Sequence, residues 1–323
     1  MKLGVGLIAI AVGALFVLPQ LLSYSAAQQA ASSWSEPVNL GAPINSAFLD
    51  TGGVLSPDGL SLYFGSSRPC GNGDTVLDNN IWVARRSSQV TPWEVECLKI
   101  NVDEYSDSVP DLSADGHWLY FVSDRPGSTG TQADRRDIWV SHRQDVRNDQ
   151  GWSEPFNLGS PVNTDAAEGG PAYFVARESR YFRQLADQKL IFNSARVRGV
   201  FDLFEVNILD GVPFGQARRL DELNTDEFAE SGASVSPDGL ELFFQRTLSD
   251  GSLDLYTSTR QEPDVPWSKP ISLGPPINTP ASEQVPKRSR DGTLLFFQSN
   301  RPGGLGNFDI WVSTREMSRT SAR

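Results

Sequence analysis

Short apolar runs separated by polar turns follow one another along most of the chain. Segments such as Leu-Tyr-Phe and Ile-Trp-Val recur, and β-branched and aromatic residues favour extended strands. Asp-Gly pairs stand between several of these runs and suit tight hairpins, because glycine accepts positive φ. The pattern therefore predicts an all-β protein made of short antiparallel strands.

One block occurs five times along the chain. It consists of a Ser-x-Asp-Gly turn, an apolar strand, a polar loop and a second strand related to Asp-Ile-Trp-Val. The four clear copies are SPDGLSLYFGSSRP (56–69) with NIWVAR (80–85), SADGHWLYFVSDRPG (113–127) with DIWVSH (137–142), SPDGLELFFQRT (236–247) with DLYTST (254–259), and SRDGTLLFFQSNRPGG (289–304) with DIWVST (309–314). The third copy is degenerate, with KLIFNSAR (189–196) and DLFEVN (202–207), and a longer stretch (175–188) replaces its turn.

A second element alternates with this block, and an asparagine follows each copy within a few residues. The copies are WSEPVNLG (34–41), WEVECLKI (93–100), WSEPFNLG (152–159), PFGQARRL (213–220) and WSKPISLG (267–274), followed by Asn45, Asn101, Asn163, Asn224 and Asn278. Because the tryptophans recur at equivalent positions, they indicate packing between repeats and not a surface for stacking sugars.

Each repeat thus predicts four strands, the signature of a propeller blade. We name them A to D from the central channel outward: A precedes the Ser-x-Asp-Gly turn, B and C form the block, and D is the second element. The chain begins with a D strand and ends with a C strand. We therefore predict a five-bladed β-propeller over 34–315, with four-stranded antiparallel blades and a ring closed by the N-terminal strand completing the last blade. Residues 316–323 are expected to form a flexible tail.

These motifs resemble the WD-like β-propeller repeats of TolB-type proteins, in the version found in envelope proteins that often carry an OmpA-type peptidoglycan-binding domain. The resemblance covers essentially all of 34–315. It implies a scaffold or binding module, although some relatives are enzymes. No OmpA-type domain follows Arg315, so peptidoglycan anchoring does not carry over.

The first residues have the features of an export signal. Lys2 precedes an uncharged apolar run from Leu3 to Leu18, and Ser25, Ala26 and Ala27 supply small residues for a signal peptidase. We expect residues 1–27 to be a signal peptide and the mature chain to be periplasmic or secreted, without membrane insertion. An uncleaved membrane anchor is the alternative. The net charge of -12 disfavours nucleic acid and anionic lipid as partners.

Five carboxylates stand just before the predicted A strands. Such residues lie at the mouth of the central channel, where a ring of acids could bind a cation or orient a sugar or peptide. The acids are Asp50, Asp107, Glu168, Glu230 and Glu283. The first four are also candidate catalytic residues, because five-bladed glycosidases take an acid and a base from different blades. Inverting glycoside hydrolysis needs two carboxylates about 6.5–9.5 Å apart.

A structural role for these carboxylates is the alternative that we favour, because a feature of every blade is more typical of the repeat than of a catalytic centre. An arginine ends strand B in four blades (Arg68, Arg125, Arg196 and Arg301), and a polar residue begins strand C in all five (Asn80, Asp137, Asp202, Asp254 and Asp309). Together they predict a buried network of acid, arginine and second acid. In blade four, Arg246 stands two positions early, so either Glu230 lacks a cation and binds ligand together with Arg246, or Arg246 reaches round to pair with it.

The loops between strands B and C (68–80, 125–137 and 301–309) vary most, and we expect them to carry specificity on the same face. Asp74, Asp78 and Asn79 offer oxygen ligands for calcium but lack EF-hand spacing, so solvated loop residues are the better interpretation. Cys70 and Cys97 fall at the same end of blade one, which favours a disulfide over two free thiols. His117 and His142 are too few for a metal centre, so no metal site and no cofactor are predicted.

Two functions remain open from the sequence. The first is an exported binding or scaffold propeller that recognises an envelope protein or a glycan on the face where strand A starts, which we call the top face. The second is a glycoside hydrolase-like enzyme that uses carboxylates of the central funnel. We favour the first, because no unique catalytic set stands out from the repeat.

Overall fold

The structure, a computed structural model, describes residues 34–71, 78–129, 135–176 and 187–316. These residues form five four-stranded antiparallel sheets and no helix, which confirms the predicted five-bladed propeller. The predicted signal peptide (1–27), most of the predicted tail and Asp74 lie outside the described residues.

The strands follow the A-to-D order in each blade. The first strand of the described residues is β1 (Val38–Asn39). Blade 1 contains β2 (Asp50–Leu55), β3 (Ser61–Ser66), β4 (Asn80–Arg85) and β5 (Glu94–Cys97), and blade 2 contains β6 (Asp107–Leu112), β7 (Trp118–Ser123), β8 (Asp137–His142) and β9 (Phe156–Asn157). Blade 3 contains β10 (Glu168–Val175), β11 (Gln188–Ser194), β12 (Asp202–Leu209) and β13 (Val212–Arg219). Blade 4 contains β14 (Glu230–Val235), β15 (Glu241–Thr247), β16 (Leu253–Thr259) and β17 (Ile271–Ser272), and blade 5 contains β18 (Glu283–Arg288), β19 (Leu294–Ser299) and β20 (Asp309–Thr314).

The N-terminal strand closes the propeller ring, as predicted. β1 pairs antiparallel with β20, with Val38 opposite Val312, and so supplies the outer strand of blade 5. Trp34 anchors this junction: its ring is buried, packs edge-on against Phe243, and lies under the guanidinium of Arg315 at 4.6 Å. The same arginine-on-tryptophan contact recurs on the D strands of blades 1, 2 and 4, which supports the packing role inferred for these tryptophans (Arg86 on Trp93, Arg143 on Trp152 and Arg260 on Trp267).

The recurring asparagines, which we call the clamp asparagines, hold the start of each C strand. Asn45 accepts a hydrogen bond from the N–H of Ile310 and donates one to its carbonyl, both at 2.9 Å. The equivalent pairs are Asn101 with Ile81, Asn163 with Ile138, Asn224 with Leu203 and Asn278 with Leu255. One side-chain amide thus supplies the acceptor for the N–H of the C strand and a second donor for its carbonyl, which also accepts from a backbone N–H, that of Leu40 in the case of Ile310.

A bulge interrupts every inner strand at its third residue. The backbone there enters the left-handed region at Gly52, Val109, Gly170, Gly232 and Val285, and the register with strand B shifts at the same point. Glycine adopts this conformation without strain, whereas a β-branched residue does not. The positive φ angles of Val109 and Val285 therefore cost free energy, and both residues line the central cavity.

No helix within the described ranges is long and apolar enough to cross a membrane.

We expect Asn45→Ala to lower the free energy of unfolding by about 1–3 kcal/mol, because it leaves the N–H of Ile310 without its acceptor and removes one of two donors to the Ile310 carbonyl, which still accepts from Leu40. Urea unfolding measures the loss. Asn207→Ala, on β12, is the matched control and should change stability by about 0.5 kcal/mol or less. Equal small losses in both variants would mean that the closing strand does not depend on this clamp.

Candidate functional site

The five carboxylates singled out in the sequence lie at the top of the inner strands, but none faces the channel. All five side chains are fully buried. Successive residues of a strand point to opposite faces, so the residue after each acid lines the channel instead. Those next residues are Thr51, Ser108, Gly169, Ser231 and Gln284. The expected ring of accessible carboxylates at the channel mouth is therefore not formed.

Each acid is enclosed by donors from its own surroundings. The residue after the clamp asparagine donates its backbone N–H and its hydroxyl to the carboxylate in four blades (Ser46 to Asp50, Thr164 to Glu168, Thr225 to Glu230 and Thr279 to Glu283). Arginines complete the enclosure by ion pairs: Arg68 to Asp50 at 2.7 Å, Arg125 to Asp107 at 2.7 Å, Arg196 to Glu168 at 3.4 Å and Arg301 to Glu283 at 3.1 Å. These contacts match the structural alternative.

Blade 4 keeps the ion pair despite its shifted arginine. Arg246 lies directly opposite Glu230 in the β14–β15 register, where the other four blades have serine. Its Nε donates to Glu230 Oε1 at 2.8 Å. Of the two alternatives for this blade, the structure has the one in which Arg246 pairs with Glu230, so the expected unpaired acid is absent.

The acids that begin the C strands do not form hydrogen bonds with these arginines, in contrast to the predicted network of acid, arginine and second acid. Asp137 accepts from Asn157 at 2.6 Å and from Thr129, and Asp309 accepts from Asn39 at 2.8 Å. Asp202 pairs with two other arginines, Arg198 and Arg219. The reason is that strand C lies between B and D, so these side chains meet donors from strand D and from the loop. Asn80 donates to Asp78.

Burial raises the pKa of Glu168, Glu230 and Asp107 above the usual carboxyl range, and their hydrogen bonds and arginines offset part of this shift. Burial also raises the pKa of Asp254, with the charges of Glu283 and Asp250 adding to it. Burial alone would raise the pKa of Asp202 as well, but hydrogen bonds from Arg198 and Arg219 outweigh it, and the pKa lies below its ordinary value.

Asp107 lacks one donor that the other acids have. Its Oδ1 is buried without a hydrogen-bond partner. The residue after the clamp asparagine is Val102 in this blade, so the hydroxyl that reaches the acid elsewhere is missing. A buried acceptor without a partner costs free energy.

A cavity of ≈ 230 Å³ opens on the top face at the centre of the propeller. Three amides form one side of its wall: Asn193, Gln245 and Gln298, the strand-B residues of blades 3 to 5 that pair with the second residue of strand A. The same position in blade 2 is Val122, which also lines the cavity. Gln284 and the hydroxyls of Thr51, Ser108 and Ser231 add polar groups, and Leu49, Val109 and Val285 add apolar ones.

The rim of the cavity comes from residues that precede strand C. Asn79, Arg136 and Phe201 hold equivalent positions in blades 1, 2 and 3, and the guanidinium of Arg136 lies 5.3 Å from the ring centre of Phe201. Among the described lining residues, Arg136 is the one ionisable side chain, and none is a carboxylate. The cavity is therefore an amide- and hydroxyl-lined pocket with one cation at its mouth.

Two acceptors of this wall lack partners in the described structure. The side-chain oxygens Asn79 Oδ1 and Gln298 Oε1 are buried and receive no hydrogen bond. Gln298 is 6% exposed, and its amide nitrogen donates to Gln284 at 2.9 Å. By contrast, Gln245 accepts from the N–H of Val285 and donates to Ser231, so its amide is satisfied.

A buried ion pair lies deeper in the channel. Lys287 Nζ of blade 5 donates to Asp111 Oδ1 of blade 2 and to the carbonyl of Pro171 of blade 3, both at 2.9 Å. Asp111 also accepts from the N–H of Tyr173. Both charges line a smaller cavity of ≈ 70 Å³ on the opposite side, so the pair separates the two cavities.

The sequence analysis missed the amides, Arg136, Phe201 and the ion pair. A signal was present: the strand-B residue that pairs with the second residue of strand A changes from blade to blade (Gly65, Val122, Asn193, Gln245 and Gln298) within an otherwise repetitive sequence. Likewise Asp111 and Lys287 are charges inside A strands, where the other blades have uncharged residues.

The remaining candidates lie away from the cavity or at its edge. Cys70 and Cys97 form a disulfide that ties the loop after β3 to the end of β5, and Asn101 lies beside it. His117 and His142 stack on each other near the ends of β7 and β8, away from the top face. No group of three or more metal-ligating side chains occurs in the part of the chain that the structure describes.

Comparison with known proteins supports the fold. The catalytic domain of a GH62 alpha-L-arabinofuranosidase from Coprinopsis cinerea matches with a TM-score of 0.56 and 13% identity, covering 88% of this chain and 98% of that one. An endo-arabinase from Bacteroides thetaiotaomicron matches with a TM-score of 0.56 and 11% identity, covering 88% and 99%. A putative TolB from Agrobacterium tumefaciens matches with a TM-score of 0.46 and 14% identity, covering 84% of each chain.

No protein-family profile matches the sequence, and no curated protein matches it. At these identities the likeness to solved structures shows a shared fold, which unrelated functions use.

We expect Val102→Thr to raise the free energy of unfolding by about 0.5–1.5 kcal/mol, because the new hydroxyl gives the Asp107 carboxylate the donor that Ser46 gives Asp50 in blade 1. Val102 is 37% exposed, so the lost methyl group costs little. Chemical denaturation measures the change. Val102→Ala is the control without a hydroxyl, and a gain of stability in that variant would contradict the explanation.

Asp202→Asn and Asp254→Asn form a matched pair at the start of strand C. The lowered pKa of Asp202 means that its charge stabilises the fold above the ordinary aspartate pKa of about 4, and that this contribution disappears as the pH falls through the folded value. Asp202→Asn should therefore cost about 1–3 kcal/mol at neutral pH and less in acid. Asp254→Asn should be neutral or stabilising at neutral pH, because its raised pKa marks a disfavoured charge. Equal losses at all pH values would contradict this assignment.

Proposed function

We propose that the chain is an exported binding module whose top cavity holds a hydroxyl-rich group of an envelope glycan. The observation that supports this most is the chemistry of the cavity wall, which consists of amides and hydroxyls and has no carboxylate among its described lining residues. Carboxamides offer a donor and an acceptor side by side, as sugar hydroxyls also do.

The size of the cavity favours a single residue of a ligand. Pockets for drug-sized molecules measure about 300–1,000 Å³, and this cavity measures ≈ 230 Å³. One sugar ring fits that scale better than a long segment of polymer. The apolar side chains Val109, Val122 and Val285 offer contacts for the carbon face of such a ring. The resemblance of the repeats to TolB-type propellers, mostly scaffolds or binding modules, is consistent with binding.

Glycoside hydrolysis is the competing function, because the GH62 arabinofuranosidase and the endo-arabinase share the fold. Hydrolysis requires an acid and a base that reach the glycosidic bond. The candidates Asp50, Asp107, Glu168 and Glu230 are fully buried, and each is held by an arginine. We therefore propose binding without catalysis.

The test is titration calorimetry of the full chain with arabinotriose, xylotriose, galactotriose and trigalacturonate, together with sizing of the products after long incubation with the parent polysaccharides. We expect binding without new products. Gln298→Ala should weaken binding about three- to tenfold, because it removes hydrogen bonds inside the cavity. Gln216→Ala, on the exposed outer strand β13, is the matched control and should bind normally.

Two results would contradict the proposal. New short oligosaccharides that disappear with Asp50→Asn or Glu230→Gln, in variants that still fold, would establish hydrolysis instead. Absence of binding to all four probes at millimolar concentration would remove the glycan from the proposal.

A further inference from the structure

Backbone N–H groups of the inner-strand bulges orient two side-chain amides of the top cavity. The N–H of Gly232 donates to Asn193 Oδ1 at 3.2 Å, and the N–H of Val285 donates to Gln245 Oε1 at 2.6 Å. Because a backbone N–H can only donate, it must meet the oxygen of each amide, which leaves the amide's NH2 group for other partners. The fold therefore determines which end of both amides is turned to the cavity.

The hydrogens of these amides lead to donors on the cavity wall. Gln245 Nε2 donates to Ser231 Oγ at 2.9 Å, so the serine accepts there and keeps its own proton to donate. Gln284 accepts from Gln298 at 2.9 Å and likewise keeps its NH2 group. Asn193 Nδ2 and Gln284 Nε2 both retain solvent-accessible surface, and no acceptor for either occurs among the described residues. This side of the wall thus presents hydrogen-bond donors that are free to bind.

Apolar side chains line the part of the wall that comes from blades 1 and 2. Leu49 and Val109 are half-buried there, and Ser108 adds a hydroxyl next to Val109. The cation of the rim, Arg136, lies against the ring of Phe201. The interior of the cavity therefore combines neutral donors on one side with apolar surface on the other.

Such a wall favours a ligand oxygen that carries lone pairs and no proton. A hydroxyl brings its own proton, which a wall of donors does not satisfy, whereas a carbonyl oxygen only accepts. A carboxylate also only accepts, but neutral donors compensate its charge less well than a paired cation does, and burying a charge costs free energy. An acetyl group combines a carbonyl oxygen with a methyl group, which gains free energy against apolar surface.

We propose that the cavity holds the acetamido group of an N-acetylated sugar, with its carbonyl oxygen on the donors of Asn193 and Gln284 and its methyl group toward Leu49 and Val109. This inference rests on the proposed glycan-binding function and names the class of sugar.

The experiment compares chitotriose with cellotriose, which have the same backbone and differ in the acetamido group that replaces one hydroxyl of each sugar. Calorimetry with the full chain should show chitotriose binding at least about tenfold more tightly, since the acetamido group adds a hydrogen bond and a buried methyl group. Cellotriose should bind as the other unacetylated neutral trisaccharides do. This comparison uses the unmodified chain and does not depend on the folding of any variant.

Two variants of nearly unchanged size test the donors. Gln284→Glu replaces the free NH2 group by an oxygen and keeps the acceptor for Gln298, and Asn193→Asp does the same while keeping the acceptor for Gly232. Both should lower the affinity for chitotriose to about that for cellotriose. Gln216→Glu, on the exposed strand β13, is the matched control for the added charge and should keep the preference. Circular dichroism and thermal unfolding verify that each variant is folded.

The outcomes separate the two proposals. Equal affinity for chitotriose and cellotriose would overturn the acetamido inference and leave the glycan proposal standing. The same holds if folded Gln284→Glu and Asn193→Asp variants both keep the preference, or if trigalacturonate binds more tightly than chitotriose, which would assign the donors to a carboxylate. Failure of every trisaccharide to bind, acetylated or not, would overturn both proposals.

Discussion

The buried carboxylate at the start of each inner strand is the contact on which the rest of the propeller depends. Its side chain accepts from an arginine at or just after the end of strand B, and in four blades also from the hydroxyl of the residue that follows the clamp asparagine. Its backbone N–H meets the carbonyl that precedes a C strand of the neighbouring blade, at Asp50, Asp107, Glu168 and Glu230. One residue therefore fixes the blade, its connection and the cavity rim. Buried ion pairs are uncertain sources of net stability, so their main effect here is to define a single geometry.

Turn chemistry and strand composition were enough to predict the fold. Ser-x-Asp-Gly forms the same turn wherever it occurs, with the serine hydroxyl donating to the aspartate two residues later, as at Ser56 and Asp58. The unequal ends of the repeat sequence predicted ring closure through β1. Both inferences depend on local patterns that recur, which a single sequence displays directly.

The cavity was harder to predict from the sequence, because the residues that recur in every blade belong to the architecture of the propeller and do not line the cavity. The acids recur in every blade and are enclosed in the wall, whereas Asn193, Gln245 and Gln298 do not recur as a single residue type. A one-residue shift along a strand changes the face that a side chain meets. Lys287 and Asp111 are 176 residues apart in the chain, and only the curvature of the ring brings them together.

The recurring acid–arginine pairs lie in the wall behind the cavity, whereas the residues that line the cavity differ between blades. The repeated geometry of the blades fixes where side chains at two positions project into the opening: the strand-B residue that pairs with the second residue of strand A, and the residue before strand C. Those positions can change without disturbing the acid–arginine pairs behind them. Blades 3 to 5 contribute amides, and blades 1 to 3 contribute the three different rim residues. Asymmetry is thus introduced into a near-symmetric frame at little structural cost.

The pairing of β1 with β20 brings the two ends of the domain to one edge of one blade. Because β1 precedes and β20 follows all the other described strands, these closing contacts are the most distant in sequence, and they are expected to slow the final step of folding. A protein fused to either end would extend from the same side of the disc and leave the top face clear.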